Sequence, residues 1–208
     1  MVLNKLERRI IELSFKHNLT HISSCLNTVN TIADIYKLRK SDEPFILGNS
    51  HAFLALAVVL EQEGYGDAED YIKRHGTHAG RDLEHGIYCS GGSLGQAETI
   101  AVGMALADRE KQVWLVTSDG CLAEGCTYEA MRFASDLGLR NLNIYVIANG
   151  YGGYCEIDVT ALWVRILSLR VRPTPILVKT PPLQWPWLQG LGGHYNALTK
   201  EQAEEMLQ

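Results

Sequence analysis

The sequence predicts an α/β protein with a mostly parallel sheet and helices on both faces. Three short apolar segments rich in β-branched residues, "KQVWLV", "LNIYVIA" and "TPILVKT", are typical of strands buried on both faces. Segments with helical periodicity separate them, as parallel strands require. The chain has 208 residues, of which 46% are hydrophobic, so we expect a single domain over residues 1–208.

Composition and charge limit the classes of partner. The net charge is −5 with dispersed lysines and arginines, so we expect neither nucleic acid nor an acidic membrane as a partner. The five cysteines form no CxxC pair, which favours reduced thiols and a cytoplasmic location. The first residues lack the pattern of a secretory signal, and the apolar runs are far shorter than the roughly 20 residues that span a bilayer.

Before the first predicted strand, the sequence predicts four helices. Apolar residues recur at helical spacing over residues 3–15 and 22–38. "AFLALAVVLEQEG" predicts a third helix, and "LGQAETIAVGMALAD" predicts a fourth that follows the glycine-rich "SGGSLG" directly.

Helices and loops alternate after that strand. "GCTYEAMRFASDLG" and "VTALWVRILSLR" predict the helices that precede the second and third strands. "YGGYCEID" is too rich in glycine for a regular element, and "PPLQWPWLQGLGGHYN" predicts a loop that lies over another part of the molecule. Thr199 and Gln202 predict the capping box of a last helix.

Polar residues follow the first two predicted strands. Asp119 comes after one strand and Asn149 after the next, and ligands of parallel sheets bind beyond such strand ends. Together with the carbonyl oxygen of Tyr151 these side chains offer hard oxygen ligands to Mg²⁺, and Gly120 lets a diphosphate approach the backbone. From these residues alone, a helix cap at Asp119 and a turn at Asn149 explain the pattern equally well.

A second candidate element is the glycine turn before the fourth helix. Gly91, Gly92 and Gly95 flank a tight turn suited to a phosphate at a helix N-terminus. The spacing matches neither GxxxxGK[ST] nor GxGxxG, so these nucleotide-binding motifs give no support.

Five segments occur in the order in which transketolases carry their motifs, and together they cover nearly the whole chain. They resemble, in turn, the family's first histidine segment, its SKGHA, GHP and GSLGQG segments, and its thiamine diphosphate signature: "HISSCLNTVNTIADIYKL", "FILGNSHAFLALAVVL", "GTHAGRD", "SGGSLGQAETIAVGMALA" and "SDGCLAEGCTYEAMRFASDLGLRNLNIYVIANG". The resemblance implies a thiamine diphosphate-binding fold, corresponding to the N-terminal half of a transketolase. The family's pyrimidine-binding and C-terminal domains are absent from this sequence, so we expect one subunit of a split enzyme.

The resemblance also implies an activity and partners. A transketolase transfers two-carbon ketol units between sugars or sugar phosphates, with thiamine diphosphate and Mg²⁺, or Ca²⁺ or Mn²⁺ instead, as cofactors. A separate C-terminal subunit is expected to supply the pyrimidine-binding half in a heterotetramer.

Site residues follow from the matched motifs. The resemblance implies a metal held by Asp119, Asn149 and the carbonyl of Tyr151. Cofactor contacts are expected at His51, Gly92, Ser93, Leu94, Gly120 and Asn149. His21, His78 and His194 match catalytic histidines that bind substrate hydroxyls. Glu124 and Glu129 match acids at the family's subunit interface. The alternatives are a structural imidazole for each histidine and a solvated helix face for the two acids. Three histidines match no motif: His17, His75 and His85.

The sequence departs from the family pattern at four places. Ser118 replaces the first glycine of the GDG motif, and "GNSHA" stands in place of SKGHA. "NGYGGYCEID" replaces a more regular NGLQIDG, and the match is weakest around His194. These departures lie near the expected substrate loops.

Three other functions compete with that interpretation. One is a catalytically silent interaction protein with the transketolase fold, which the presence of Asp119 and Asn149 disfavours. Another is a specialised ketol-transfer enzyme of a secondary pathway. A thiamine-dependent decarboxylase or dehydrogenase subunit is disfavoured because the histidines and the Glu-Gly pair follow the transketolase pattern.

Overall fold

A computed structural model describes residues 3–152 and 155–208, so Gly153 and Tyr154 of the glycine-rich "YGGYCEID" segment lie outside it. Its sheet has four parallel strands in the order β1-β2-β3-β4. The strands are β1 (Phe45–Leu47), β2 (Val113–Ser118), β3 (Leu142–Ala148) and β4 (Ile176–Lys179). The predicted α/β class and parallel sheet are confirmed.

The strand prediction was wrong in two details. We did not predict β1, which is three buried residues long and too short to show a periodicity. The first predicted strand was placed two residues too early, because β2 continues through Thr117 and Ser118. As a result, Asp119 follows β2 directly.

The helices agree with the predicted ones except for three additional elements. The helices are α1 (Lys5–Lys16), α2 (Ile22–Leu38), α3 (Phe53–Gln62), α4 (Ala68–His75), α5 (Gln96–Ala107), α6 (Asp119–Leu122), α7 (Gly125–Asp136), α8 (Val159–Ser168), α9 (Gly192–Tyr195) and α10 (Lys200–Leu207). The unpredicted α4, α6 and α9 have at most eight residues each, and in so few turns a helical pattern is hard to recognise. The predicted capping box at Thr199 and Gln202 is present.

Helices cover both faces of the sheet. Val116 and Ile147 belong to a core that includes residues of α1 to α4 and α10. Leu115 and Ile144, from the same strands, belong to a second core with residues of α5, α7 and α8. Because neighbouring residues of a strand point to opposite faces, the two cores lie on opposite sides of the sheet.

The segment before α10 lies over the start of α2. Trp185 and Leu188 anchor it in the core, and the Ser23 hydroxyl donates a hydrogen bond to the Gly193 carbonyl at 2.9 Å. The segment predicted as a loop includes a short 3-10 turn and α9. Among the described helices, none has the length and apolar character to cross a membrane.

Candidate functional site

A cleft of about 360 Å³ opens where β2 and β3 end and α2 and α5 begin. Its lining includes most of the residues predicted for the site: His21, His51, His78, Gly92, Leu94, Asp119, Gly120, Asn149, Tyr151 and His194. The fold therefore brings motifs from distant parts of the sequence to one place, at the carboxyl edge of the parallel sheet.

Asp119 is the most constrained polar group in the cleft. Its side chain is buried, with the residue 2% exposed. One carboxylate oxygen accepts hydrogen bonds from the backbone N–H groups of Asn149 at 3.0 Å and Gly150 at 2.7 Å, and the other accepts from Gly120 at 3.0 Å. The ends of β2 and β3 are thus joined through this carboxylate.

Ser118, rather than Asp119, caps the short helix α6. The Ser118 hydroxyl accepts a hydrogen bond from the N–H of Cys121 at 3.4 Å. The φ angle of Ser118 is −134°, which any residue can adopt, so serine causes no backbone strain here. The helix-cap alternative for Asp119 is therefore wrong.

The turn alternative for Asn149 is present in the structure. Asn149 Oδ1 accepts a hydrogen bond from the N–H of Tyr151 at 2.9 Å, which is an Asx turn. An amide oxygen has two lone pairs, so one remains for another partner. The turn and a ligand role are compatible.

The chemistry of these donors fits a small, hard cation. A carboxylate has about four acceptor positions, of which the three N–H groups occupy three. Burial raises the pKa of Asp119, against the effect of these hydrogen bonds, and a bound cation would favour its ionised form. None of the described residues that line the cleft is a lysine or an arginine, so an oligophosphate there has no such side chain to balance its charge.

The glycine turn reaches the cleft through Gly92 and Leu94. Gly92 has a φ angle of +122°, which a residue with a side chain rarely adopts. Ser93 lies between them but is not part of the cleft lining. The start of α5 follows immediately, and the N-terminus of a helix favours an anion.

Four histidines converge on the other side of the cleft. The ring of His21 lies 4.3 Å from that of His194, 5.1 Å from that of His51 and 6.3 Å from that of His78, measured between centroids. Burial, and then the neighbouring histidines, lower the pKa of His21 to about 4 and that of His51 to about 3. Burial also lowers the pKa of His194. At neutral pH, His21, His51 and His194 are neutral imidazoles, each with one donor and one acceptor, which suits hydroxyl groups.

The backbone of His21 is strained. Its φ angle is +60°, uncommon for a residue other than glycine. The N–H of His21 donates to the carbonyl of His194 at 3.0 Å, and its carbonyl accepts from the N–H of Cys25 at 3.1 Å. These bonds hold the strained residue and place its ring beside that of His194.

Several polar residues of the cleft were not predicted from the sequence. They are Ser24, Asn27 and Thr28 of α2, Asn49 after β1, and Tyr195 at the end of α9. In α2 the missed signal was a polar stripe, because Ser24, Asn27 and Thr28 follow His21 at helical spacing within an otherwise apolar helix.

Asn49 offers an acceptor whose orientation its neighbours determine. The Thr28 hydroxyl donates to the Ser24 carbonyl at 2.7 Å and accepts from Asn49 Nδ2 at 3.1 Å. Because Thr28 has a single proton to donate, the amide nitrogen must face it. Asn49 Oδ1 and His21 Nδ1 are both buried without a partner among the described residues, as expected of groups that await a ligand.

The two acids predicted for an interface lie away from the cleft. Glu124 is the partly exposed residue that precedes α7, and Glu129 is exposed on that helix. Their proposed interface role stays a prediction.

The three histidines that match no motif each face a carboxylate. His17 lies 3.3 Å from Glu69, whereas His75 and His85 lie 3.4 Å and 2.8 Å from Asp82. Such pairing agrees with a structural role.

Gly120→Ala tests the diphosphate approach without disturbing the fold. A Cβ atom at Gly120 would meet its nearest neighbours, Gly152 Cα and Ser118 Oγ, at 3.6 Å, which is an ordinary contact. We expect the melting temperature to change little, while affinity for thiamine diphosphate falls about tenfold or more because the methyl group occupies ligand space. Calorimetric titration and thermal unfolding measure both effects, and unchanged affinity would contradict this prediction.

The fold and the cleft define a class of protein, namely α/β domains that bind a diphosphate cofactor beyond the ends of parallel strands. Residues 35–152 match the family described as "Transketolase, thiamine diphosphate binding domain". The chain belongs to this family, through its thiamine diphosphate-binding domain.

Known relatives agree with this assignment. Transketolase of Buchnera aphidicola subsp. Baizongia pistaciae (strain Bp) is 30% identical over 127 residues, 51% of this chain and 19% of that protein. An apulose-4-phosphate transketolase subunit of Phocaeicola vulgatus is 28% identical over 159 residues, 66% of this chain and 56% of that one. The chain thus spans about a fifth of the first of these relatives and about half of the second.

Solved structures show the same fold. A transketolase mutant from Pichia stipitis superposes with a TM-score of 0.78 at 19% identity, covering 97% of this chain and 39% of that one. Transketolase from Leishmania mexicana superposes with a TM-score of 0.73 at 18% identity, again over 97% of this chain.

Proposed function

We propose that this chain is the diphosphate-binding subunit of a thiamine diphosphate-dependent transketolase-like enzyme. It transfers two-carbon ketol units between sugars or sugar phosphates, together with a separate subunit that supplies the pyrimidine-binding half. The observation that carries the proposal is the cleft, in which the Asp119 corner, the glycine turn and four histidines face one space. Residues 1–208 act as one unit in this proposal.

The Asp119 corner would hold the metal and the diphosphate. Asp119, Asn149 and the carbonyl of Tyr151 supply hard oxygen donors for Mg²⁺. Gly92, Ser93, Leu94, Gly120 and His51 would surround the diphosphate. The cleft lacks lysine and arginine among its described lining residues, so a divalent cation is the group that would balance the ligand's negative charge.

The histidines would act on the sugar. Thiamine diphosphate supplies, when bound, the nucleophile and electron sink needed to break a carbon–carbon bond. His21, His78 and His194 would orient the hydroxyl groups of the ketose by hydrogen bonds. The low pKa values of His21 and His51 keep both rings neutral, so each can accept a proton from a hydroxyl group or donate one.

The proposed partner is a second chain in a heterotetramer. Two facts support it: the chain matches only part of the transketolases, and the relative from Phocaeicola vulgatus is named as one subunit of a transketolase. Glu124 and Glu129 would lie at the interface between subunits, in a cytoplasmic complex.

Reconstitution tests the proposal. The chain mixed with its cognate C-terminal subunit, thiamine diphosphate and Mg²⁺ should transfer two-carbon units from a ketose to an aldose, as followed by mass spectrometry of the sugars. Either chain by itself should be inactive, because the cofactor then lacks one of its two binding halves. A mixture that binds thiamine diphosphate but transfers nothing would favour the silent interaction protein, and a mixture that binds none would disprove the enzyme.

A further inference from the structure

Glu98, in the first turn of α5, is a buried acid that none of the roles above explains. The residue is 0% exposed. One carboxyl oxygen accepts a hydrogen bond from the Thr117 hydroxyl, whereas Oε2 has no partner within residues 3–152 and 155–208. An apolar side chain would fill this space without the cost of removing a carboxyl group from water.

Three segments that line the cleft meet at this carboxyl group. Glu98 follows the glycine turn by one turn of helix, and Thr117 lies two residues before Asp119. The third segment is the loop after β1, which begins at Gly48 and continues to Asn49 and His51.

Gly48 packs directly against the acid. A Cβ atom at Gly48 would lie 2.8 Å from Glu98 Oε1 and 3.1 Å from Thr117 Oγ1, so only glycine fits this close approach without a shift of its neighbours. The N–H of Gly48 also donates to the carbonyl of Val116 at 2.7 Å. The backbone before Asn49 is therefore held between β2 and Glu98.

The surroundings keep the acid neutral. Burial raises the pKa of Glu98 and raises that of the neighbouring Cys121 thiol to about 12. A neutral carboxyl group and a neutral thiol can share hydrogen bonds without the cost of a buried charge. Glutamine has the same shape as a neutral glutamic acid and keeps an oxygen acceptor for Thr117.

We propose that Glu98 is a positioning residue of the cofactor site, which joins the loop after β1, the start of α5 and the end of β2. The Glu98–Thr117 bond sets the position of the residues that follow Thr117, and with them the Asp119 carboxylate. That this corner receives a diphosphate and its metal rests on the proposed function.

Amide hydrogen exchange tests the positioning without any ligand. The backbone N–H groups of Gly120, Asn149 and Gly150 donate to Asp119, so their protection reports the position of its carboxylate. In Glu98→Leu we expect these amides to exchange about tenfold faster or more than in the wild type, and in Glu98→Gln to stay within about threefold.

Val102→Ala is the matched control, because Val102 is buried one turn later on the same helix. It should destabilise the core without changing the exchange of the three amides relative to those of β3. A folded Glu98→Leu variant with unchanged exchange would overturn the proposal, as would an equal relative acceleration in Val102→Ala. If Glu98→Leu does not fold, Thr117→Val decides, because it removes the hydroxyl partner; unchanged exchange there overturns the proposal.

Cofactor binding separates this proposal from the function. With thiamine diphosphate and Mg²⁺ as probes, Glu98→Leu should weaken binding about tenfold, whereas Glu98→Gln should bind nearly as the wild type does. A wild-type chain that binds no thiamine diphosphate with its partner subunit would disprove the proposed function, while the exchange measurement would still decide the role of Glu98.

Discussion

Asp119→Asn and Asp119→Ala should both abolish metal-dependent binding of thiamine diphosphate. The carboxylate is the one acid among the described residues that line the cleft, and either change removes its charge. We expect the affinity to fall by more than about 100-fold, beyond the roughly 10- to 100-fold loss typical of residues that merely support a ligand. Calorimetric titration of thiamine diphosphate with and without Mg²⁺ measures the effect.

The two variants should differ in stability. Asp119→Ala leaves the buried N–H groups of Gly120, Asn149 and Gly150 without their acceptor, and each unsatisfied group costs about 1–3 kcal/mol. Asp119→Asn keeps one acceptor oxygen, so it should unfold at a higher denaturant concentration than Asp119→Ala.

Asp158→Asn is a suitable control for the loss of charge. Asp158 caps α8 through the N–H of Ala161 at 3.0 Å, and asparagine caps helices as well as aspartate does. This variant should bind thiamine diphosphate as the wild type does. Metal-dependent binding that survives in Asp119→Asn would mean that the metal site lies elsewhere.

The Asp119 corner could be predicted because its residues follow strand ends in short, recognisable motifs. A parallel sheet places such positions side by side whatever the loops between them do, and Asp119 and Asn149 are joined in this way. The convergence of His21 and His194 was expected from the family resemblance, while the contact between α9 and α2 that achieves it was not.

The role of Glu98 could not be read from the sequence. An acid in the first turn of a helix is the ordinary composition of a solvated helix start, and only the packing of α5 against β2 buries it. Asn49 escaped prediction for a similar reason, since its partner Thr28 lies 21 residues away. The strand β1 is too short for a periodicity.

The charge of the cleft depends on ligands rather than on side chains. Asp119 is buried, and at neutral pH the rings of His21, His51 and His194 carry no charge. The described lining residues include no lysine or arginine. A diphosphate therefore finds N–H groups and neutral imidazoles, and its affinity should depend steeply on the divalent cation.

Acid should unfold the protein through the histidine cluster. The pKa of His21 is lowered from 6.5 to about 4 and that of His51 to about 3, so between pH 6.5 and these values the unfolded chain binds more protons. Stability from the neutral rings is fully present above pH 6.5 and is lost as the pH falls. Allowing for partial exposure of both rings, we expect a loss of about 2 kcal/mol between about pH 7 and pH 5.

His51→Leu should reduce this dependence on pH, because it removes one of the two strongly shifted groups. Urea unfolding at both pH values gives the free energies, and the variant should lose roughly half as much stability as the wild type does. Phe53→Leu is the control, since Phe53 is a buried neighbour without a titrating group; it should lower stability equally at both pH values. If His51→Leu keeps the wild-type pH dependence, protonation of this cluster does not drive acid unfolding, and the neutral imidazoles on which the proposed binding of sugar hydroxyls depends would lose their support.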